Sequence, residues 1–276
     1  MLKNILMPLF LVAMMVSGCY RFTGGEPEVL HLKGSDTMIG LGKLWAQAYM
    51  ESHPRTSVYA EGGGSATGFE GLLKGEIDVA LSSRLILTEE ARALAAKYNS
   101  IGLSFLVAKD ALSVLVNKEN PINNLTIEQV RDIFTGKITN WSQLGGQDLT
   151  IQVVIRPPTS GTYMYFKEFV LDNAEYTKSA KMLPTNRAIA SFVQDNHHAI
   201  GHSGIEVSDA VTHCHINGIA ATRKNVREGR YPLSRYLYLY TIHTPSGKVK
   251  QFIDWVISPA GQRIVTQAGF ISLWSE

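Results

Sequence analysis

Only two cysteines, Cys19 and Cys214, occur in 276 residues, so no disulfide framework holds this chain together. An excess of one charge is also lacking, since 26 Lys and Arg stand against 24 Asp and Glu for a net charge of +2. That balance argues against a dedicated nucleic-acid binder, which carries a marked basic surplus. The local basic stretch of Arg223, Lys224, Arg227 and Arg230 reads as a solvated surface. The apolar run over 5–16 is interrupted by Pro8 and is too short to span a bilayer, and no later segment reaches that length. Internal repeats and low-complexity segments are absent. Two catalytic signatures fail as well. The Gly-x-Ser-x-Gly elbow breaks at Ser65, where Thr67 stands in place of the second glycine. The phosphate loop breaks after Gly63 and Gly68, because Phe69 and Glu70 follow where Lys and Ser or Thr are required.

What is present is ordinary globular material, 45% hydrophobic and 18% charged, with length enough for one large core or two small ones. The N-terminus has the form of an export signal: Lys3 supplies a positive charge, an apolar stretch follows, and Val16-Ser17-Gly18-Cys19 resembles a bacterial lipobox. On this reading residues 1–19 are a lipoprotein signal with lipidation at Cys19, residues 20–28 are a tether, and Cys214 has no partner.

From residue 29 onward, short apolar strands alternate with amphipathic helices, the mark of an α/β protein with mainly parallel sheets. Strands are predicted over 29–32, 57–59, 79–81, 112–116, 151–155 and 236–242. Leu41, Leu44, Trp45 and Ala48 fall at helical spacing, as do Val249, Phe252, Ile253 and Val256. Thr88 is placed as the cap of a helix through Tyr98, Thr126 and Gln129 form a capping-box pattern, and Ser258-Pro259 opens the last helix.

One arrangement recurs four times. A strand ends in a small or hydroxylated loop at or near the start of a helix: residues 34–37, 62–65, 82–84 and 160–162. The first N–H groups of a helix lack internal partners and lie at the positive end of its dipole, so each loop is a candidate anion cradle. Glycine allows close backbone approach, and serine and threonine hydroxyls add donors. Arg84 and Arg156 bring planar forks suited to two oxygens of a tetrahedral oxyanion.

These residues resemble the PstS-type phosphate-binding proteins of bacterial ABC importers. The resemblance rests on Gly34-Ser35-Asp36-Thr37-Met38, on Gly62-Gly63-Gly64-Ser65-Ala66-Thr67-Gly68, on Arg84, and on Arg156 with Ser160-Gly161-Thr162. It continues through Ile133-Phe134-Thr135-Gly136-Lys137-Ile138-Thr139-Asn140-Trp141, Ala199-Ile200-Gly201 and Tyr231-Pro232-Leu233-Ser234-Arg235, and spans nearly everything from Leu30 to Leu273. It implies a two-lobed type II periplasmic-binding fold with the anion in the cleft between lobes. Residues 29–108 and 219–276 would form lobe 1, and residues 109–218 lobe 2. The phosphate ligands it implies are Ser35, Thr37 and Ser65, with Arg156, Ser160, Gly161 and Thr162 clamping from the second lobe. Asp36, Ser83, Arg84 and Asp110 complete the candidate set, although Ser83 stands where the best-known members have an aspartate. His202 takes the place of a usual tyrosine.

An aspartate in such a site has a physical purpose. A carboxylate only accepts hydrogen bonds, phosphate near neutral pH still has a proton to give, and sulfate has none. Asp110 is the first candidate for this proton sensor and Asp36 the second. The histidines at 197, 198, 202, 213 and 215 read as surface or packing residues, with no metal site and no cofactor. The resulting expectation is a non-enzymatic, monomeric, exported lipoprotein. It would bind inorganic phosphate and pass it to ABC permease subunits in the inner membrane, with no nucleic-acid partner. Alternatives are a phosphate-binding surface sensor or adhesion protein without a permease, a binder of another tetrahedral oxyanion, and a phosphoester-acting enzyme.

Overall fold

The computed structural model describes residues 27–206 and 208–274. The expected signal peptide with Cys19, and most of the expected tether, lie outside the described residues. The chain opens with β1 (Glu28–Gly34), α1 (Ile39–Ser52), β2 (Thr56–Glu61), α2 (Ser65–Lys74), β3 (Val79–Ser82) and α3 (Thr88–Tyr98). A 14-residue strand, β4 (Leu103–Val116), leads away from this unit. Then come β5 (Asn124–Leu125), α4 (Ile127–Thr135), a 3-10 turn (Trp141–Leu144), β6 (Gln152–Ile155), α5 (Gly161–Phe169) and β7 (Lys181–Met182). They are followed by α6 (Asn186–Asp195), β8 (Ala199–Gly204), β9 (Thr212–His213), β10 (His215–Ile216) and α7 (Arg223–Arg227). The chain closes with β11 (Ser234–Thr241), α8 (Gly247–Ile257) and α9 (Pro259–Gln267).

The main sheet runs β2-β1-β3-β11-β4-β8-β6-β7, with β9 added to β4. β1 pairs in parallel with β2 and β3, and β6 in parallel with β7 and β8, as strand–helix alternation predicts. The middle of the sheet departs from the expected parallel pattern: β11 is antiparallel to β3 and β4, and β4 is antiparallel to β8. The reason is connectivity. β4 carries the chain out of one lobe and β11 brings it back, and an outgoing and a returning strand laid side by side must run in opposite directions.

Two main cores flank the crossing. Leu30, Leu41, Trp45, Leu81, Leu239 and Phe252 belong to the first, where the fully buried Trp45 donates Nε1–H to Gly261 O at 3.0 Å. Phe134, Trp141, Phe166, Val170 and Ile216 belong to the second. Each such apolar side chain contributes roughly 1.5–3 kcal/mol on leaving water, so each lobe holds a core of its own. Val226, Tyr231 and Leu233 also pack in the second core, beside Ile219 and Ala221. The return crossing therefore comes at Ser234 and not at the expected residue 219, because no strand joins the first lobe before β11.

Local signals mostly hold. Thr126 and Gln129 form the reciprocal cap, at 3.1 Å and 2.9 Å. Thr88 is the first helical residue and not the cap: Leu87 occupies that place, and Glu90 reaches back to its N–H at 2.8 Å. No helix among the described residues is long and apolar enough to cross a membrane.

Candidate functional site

Three of the four candidate loops meet at one point because β1, β2 and β3 end side by side. Ser35 N–H bonds Leu81 O at 2.9 Å, and Gly64 N–H bonds Gly34 O at 2.9 Å, so the loops are laced together by backbone. Their side chains then form a buried knot. Ser35 Oγ donates to Ser83 Oγ at 2.9 Å, Ser83 N–H donates to Ser65 Oγ at 3.1 Å, and the Ser65 and Ser83 hydroxyls stand 3.4 Å apart.

The fourth loop arrives from the other lobe. Ser160 caps α5, its Oγ accepting from the N–H groups of Thr162 and Tyr163 at 3.2 and 3.4 Å. Gly161 then faces the serine knot so closely that a Cβ there would lie 2.4 Å from Ser65 Oγ and 2.5 Å from Ser83 Oγ. Thr162 Oγ1 meets Thr37 Oγ1 at 3.1 Å across the cleft. Ala66 N–H bonds Thr159 O at 3.1 Å, directly beside Gly64, whose φ of 101° and 2.5 Å virtual contact with Thr159 O leave room for no side chain. The lobes are thus closed on each other.

Charges complete the constellation. Arg156, 1% exposed, follows directly on β6 and crosses the cleft to Asp36 Oδ2 at 2.5 Å, while its other terminal nitrogen donates to Asn186 Oδ1 at 2.7 Å. Burial pulls the guanidinium below its ordinary pKa, and Asp36 opposes that pull. Asp36 Oδ1 accepts from Gly63 N–H at 3.0 Å. Asn186 also donates to Thr37 Oγ1 at 3.2 Å. Asp110 is fully buried on β4 and its Oδ2 accepts twice from Arg235, at 2.9 and 2.8 Å. Burial raises the Asp110 pKa and Arg235 opposes the rise. Arg235 in turn donates to Thr162 and Thr37 hydroxyls at 3.1 and 3.2 Å, one from each lobe. Among the described residues, Asp110 Oδ1 and Arg156 Nε are buried without a partner.

The structure therefore gathers Ser35, Asp36, Thr37, Ser65, Ser83, Arg156, Ser160, Gly161 and Thr162 in the cleft, with Asp110 behind them. It does not bring Arg84 among them. The Arg84 guanidinium turns to Glu90, with bonds of 2.8 and 2.6 Å, and lies 5.0 Å from the Phe69 ring centre. A fork held by two carboxylate oxygens is committed, and this one braces the start of α3.

Sequence reading missed Arg235 and Asn186. Arg235 lies within a quoted motif, yet only the pairing of β11 with β4 sets it opposite Asp110. The histidines stay apart. His202 is buried, stacked on Phe166 at 4.1 Å, and driven down to a pKa of about 3 by burial and by the nearby arginines. His213 bonds Ser113 Oγ and Ser208 O. Among the described residues no three His, Cys, Asp or Glu side chains are placed to share a metal ion.

The donor set suits a small tetrahedral anion: hydroxyls from both lobes, helix N-termini and a buried guanidinium are joined in one buried network. Comparison with known proteins agrees in character. The sequence model of a PBP superfamily domain matches residues 23–260. The phosphate-binding protein PstS of Pseudomonas aeruginosa is 30% identical over 92% of this chain and 86% of its own length. Its Bacillus subtilis counterpart is 32% identical over 88% and 80%. Among solved structures, a Clostridium perfringens protein described as a phosphate ABC transporter substrate-binding protein, with bound phosphate, is 31% identical at a TM-score of 0.82. It covers 90% of this chain and 100% of its own. An ABC-type phosphate transport receptor from Vibrio cholerae is 30% identical at a TM-score of 0.74, over 88% and 99%.

Proposed function

This chain belongs to the PBP superfamily and, within it, to the PstS-type phosphate-binding proteins, and on that premise we propose that it captures inorganic phosphate in the interlobe cleft and delivers it to an ABC importer. One observation carries the reading: hydroxyls of both lobes meet at Thr37 and Thr162 in a buried network that Asn186 links to the Arg156 guanidinium. Ser35, Thr37, Ser65, Ser83, Ser160, Thr162 and the backbone at Gly161 act as donors, and Arg156 supplies the positive charge. Asp36 orients Arg156. Asp110 holds Arg235 against the hydroxyls of both lobes and is the acceptor for the ligand's proton. Binding is then coupled to closure, since the donors come from both sides.

The protein is exported and works as a substrate-binding component of transport; catalysis plays no part. Attachment through a lipid on Cys19 belongs to the same proposal, supported by the Val16-Ser17-Gly18-Cys19 sequence. So do the monomeric state and the permease partner. Calorimetric titration with phosphate and then sulfate, after stripping bound anion, tests the ligand. One-to-one binding of phosphate with a response to sulfate weaker by about 10²–10⁴-fold is expected, the cost of an unmade bond to a buried acceptor. A stripped, folded protein that ignores phosphate would refute the assignment. Loss of membrane association in Cys19→Ser tests the anchor.

A further inference from the structure

Closure leaves two flanks to the cleft, and one of them contains a carboxyl that the proposed binding scheme does not use. Glu206 stands just beyond β8, where Ile205 N–H is bonded to Ala111 O at 2.9 Å, next to Asp110 in sequence. Its carboxyl folds back over the strand end: a Cβ on Gly204 would fall 2.1 Å from Glu206 Oε2, and one on Gly269 would fall 3.1 Å from Glu206 Cβ. Glu206 is half-buried as a residue, but its Oε2 is buried without a hydrogen-bond partner among the described residues. Glu206 lines a cavity of about 640 Å³ together with Asp36, Thr37 and Asn186, all members of the cleft constellation. Lys43 of α1 and Arg187 of α6 sit on the same wall, both exposed to solvent, so their charges are screened.

We propose that Glu206 is a proton-carrying member of the anion site, neutral while the anion is held and ionised only at the expense of anion affinity. This deepens the phosphate reading and rests on it. The charge count at the cleft makes the case. Arg156 and Arg235 are balanced by Asp36 and Asp110, so the buried centre is neutral and the cavity wall beside it stays neutral as long as Glu206 keeps its proton. An ionised Glu206 would make that centre negative where an anion must arrive. Burial and, secondarily, the Asp110 charge push Glu206 up to about 8, with Arg235 opposing, so the proton is retained at neutral pH. Above that range the free protein loses the proton, and an arriving anion, adding negative charge nearby, favours its return. Binding at alkaline pH then draws one proton from solvent onto the Glu206 carboxylate.

Calorimetry at pH 8.5 in two buffers of different ionisation enthalpy counts protons taken up per phosphate bound. The protein is expected to take up more protons than Glu206→Gln, by an appreciable fraction of one. Its phosphate affinity should fall between pH 7 and pH 9 by about tenfold more than that of the variant, one pKa unit of linkage. Equal proton counts with parallel pH profiles overturn the proposal and leave phosphate binding standing. Absence of phosphate binding at every pH overturns both. Should Glu206→Gln not fold, infrared difference spectra of the unaltered protein at pH 8.5 decide. A protonated-carboxyl band gained on adding phosphate supports the proposal, and its absence refutes it.

Discussion

Gly161→Ala separates closure from folding. Gly161 is the first residue of α5 and needs no left-handed backbone, so alanine can occupy it without strain in lobe 2. Alanine is also the better helix former, by up to about 1 kcal/mol in a helix interior and by less at this first position. The added methyl meets its obstacle only when the lobes close. It would stand 2.4 Å from Ser65 Oγ and 2.5 Å from Ser83 Oγ, half an ångström or more inside the 3.0 Å that Cβ atoms keep. Those hydroxyls cannot simply swing aside, because Ser83 is held by Ser35 and Ser65 accepts from the Ser83 backbone. Overpacking of this kind costs about 1–3 kcal/mol, and here the cost falls on the closed state alone. Phosphate affinity should therefore drop by roughly 5- to 150-fold, while the thermal midpoint without ligand stays level or rises. Titration calorimetry reads the first and calorimetric melting the second. Small-angle scattering with saturating phosphate should show the variant still partly open. Gly40→Ala is the control, since its Cβ would meet nothing within 4 Å. If Gly161→Ala closes and binds phosphate as tightly as the unaltered protein, the closed cleft described above is not the binding state.

Asp110→Asn should cost about 3–5 kcal/mol in denaturant unfolding, because it leaves the buried Arg235 guanidinium without its counter-charge. The added change Arg235→Met should recover part of that loss while abolishing the bonds to Thr37 and Thr162 and with them phosphate affinity. Arg84→Gln should lower stability by about 2 kcal/mol through loss of the Glu90 bonds, yet leave phosphate affinity nearly unaltered. A large affinity loss there would mean that Arg84 leaves Glu90 for the ligand. His202 holds a folded pKa of about 3 against the ordinary 6.5, so the unfolded chain binds the proton first and stability is lost as pH falls from about 6.5 toward 3. His202→Phe, which keeps the stack on Phe166, should flatten the dependence of the melting midpoint on pH across that window.

The strand–helix alternation, the capping box at Thr126 and the hydroxylated loops at 34–37, 62–65 and 160–162 were legible in the chain because each is set by neighbours a few residues apart. The long β4 was legible only over 112–116: Lys109 and Asp110 stand at its middle, and charged residues break the apolar run by which a buried strand is read. Arg84 looked like a ligand because sequence shows a guanidinium beside a serine loop and does not show where the fork points. Its diversion had a local signal in Glu90, the third residue of the helix that follows. Arg235, Asn186 and Glu206 had none. Arg235 meets a carboxylate 125 residues away, and Asn186 a threonine 149 residues away. The sequence by itself determined the α/β class, the family and the anion-binding loops, since local backbone chemistry and motif spacing carry them. Tertiary structure alone decided which charges are paired, which carboxyls are buried and which glycine limits closure, because desolvation and charge balance depend on what surrounds a group in space and not along the chain.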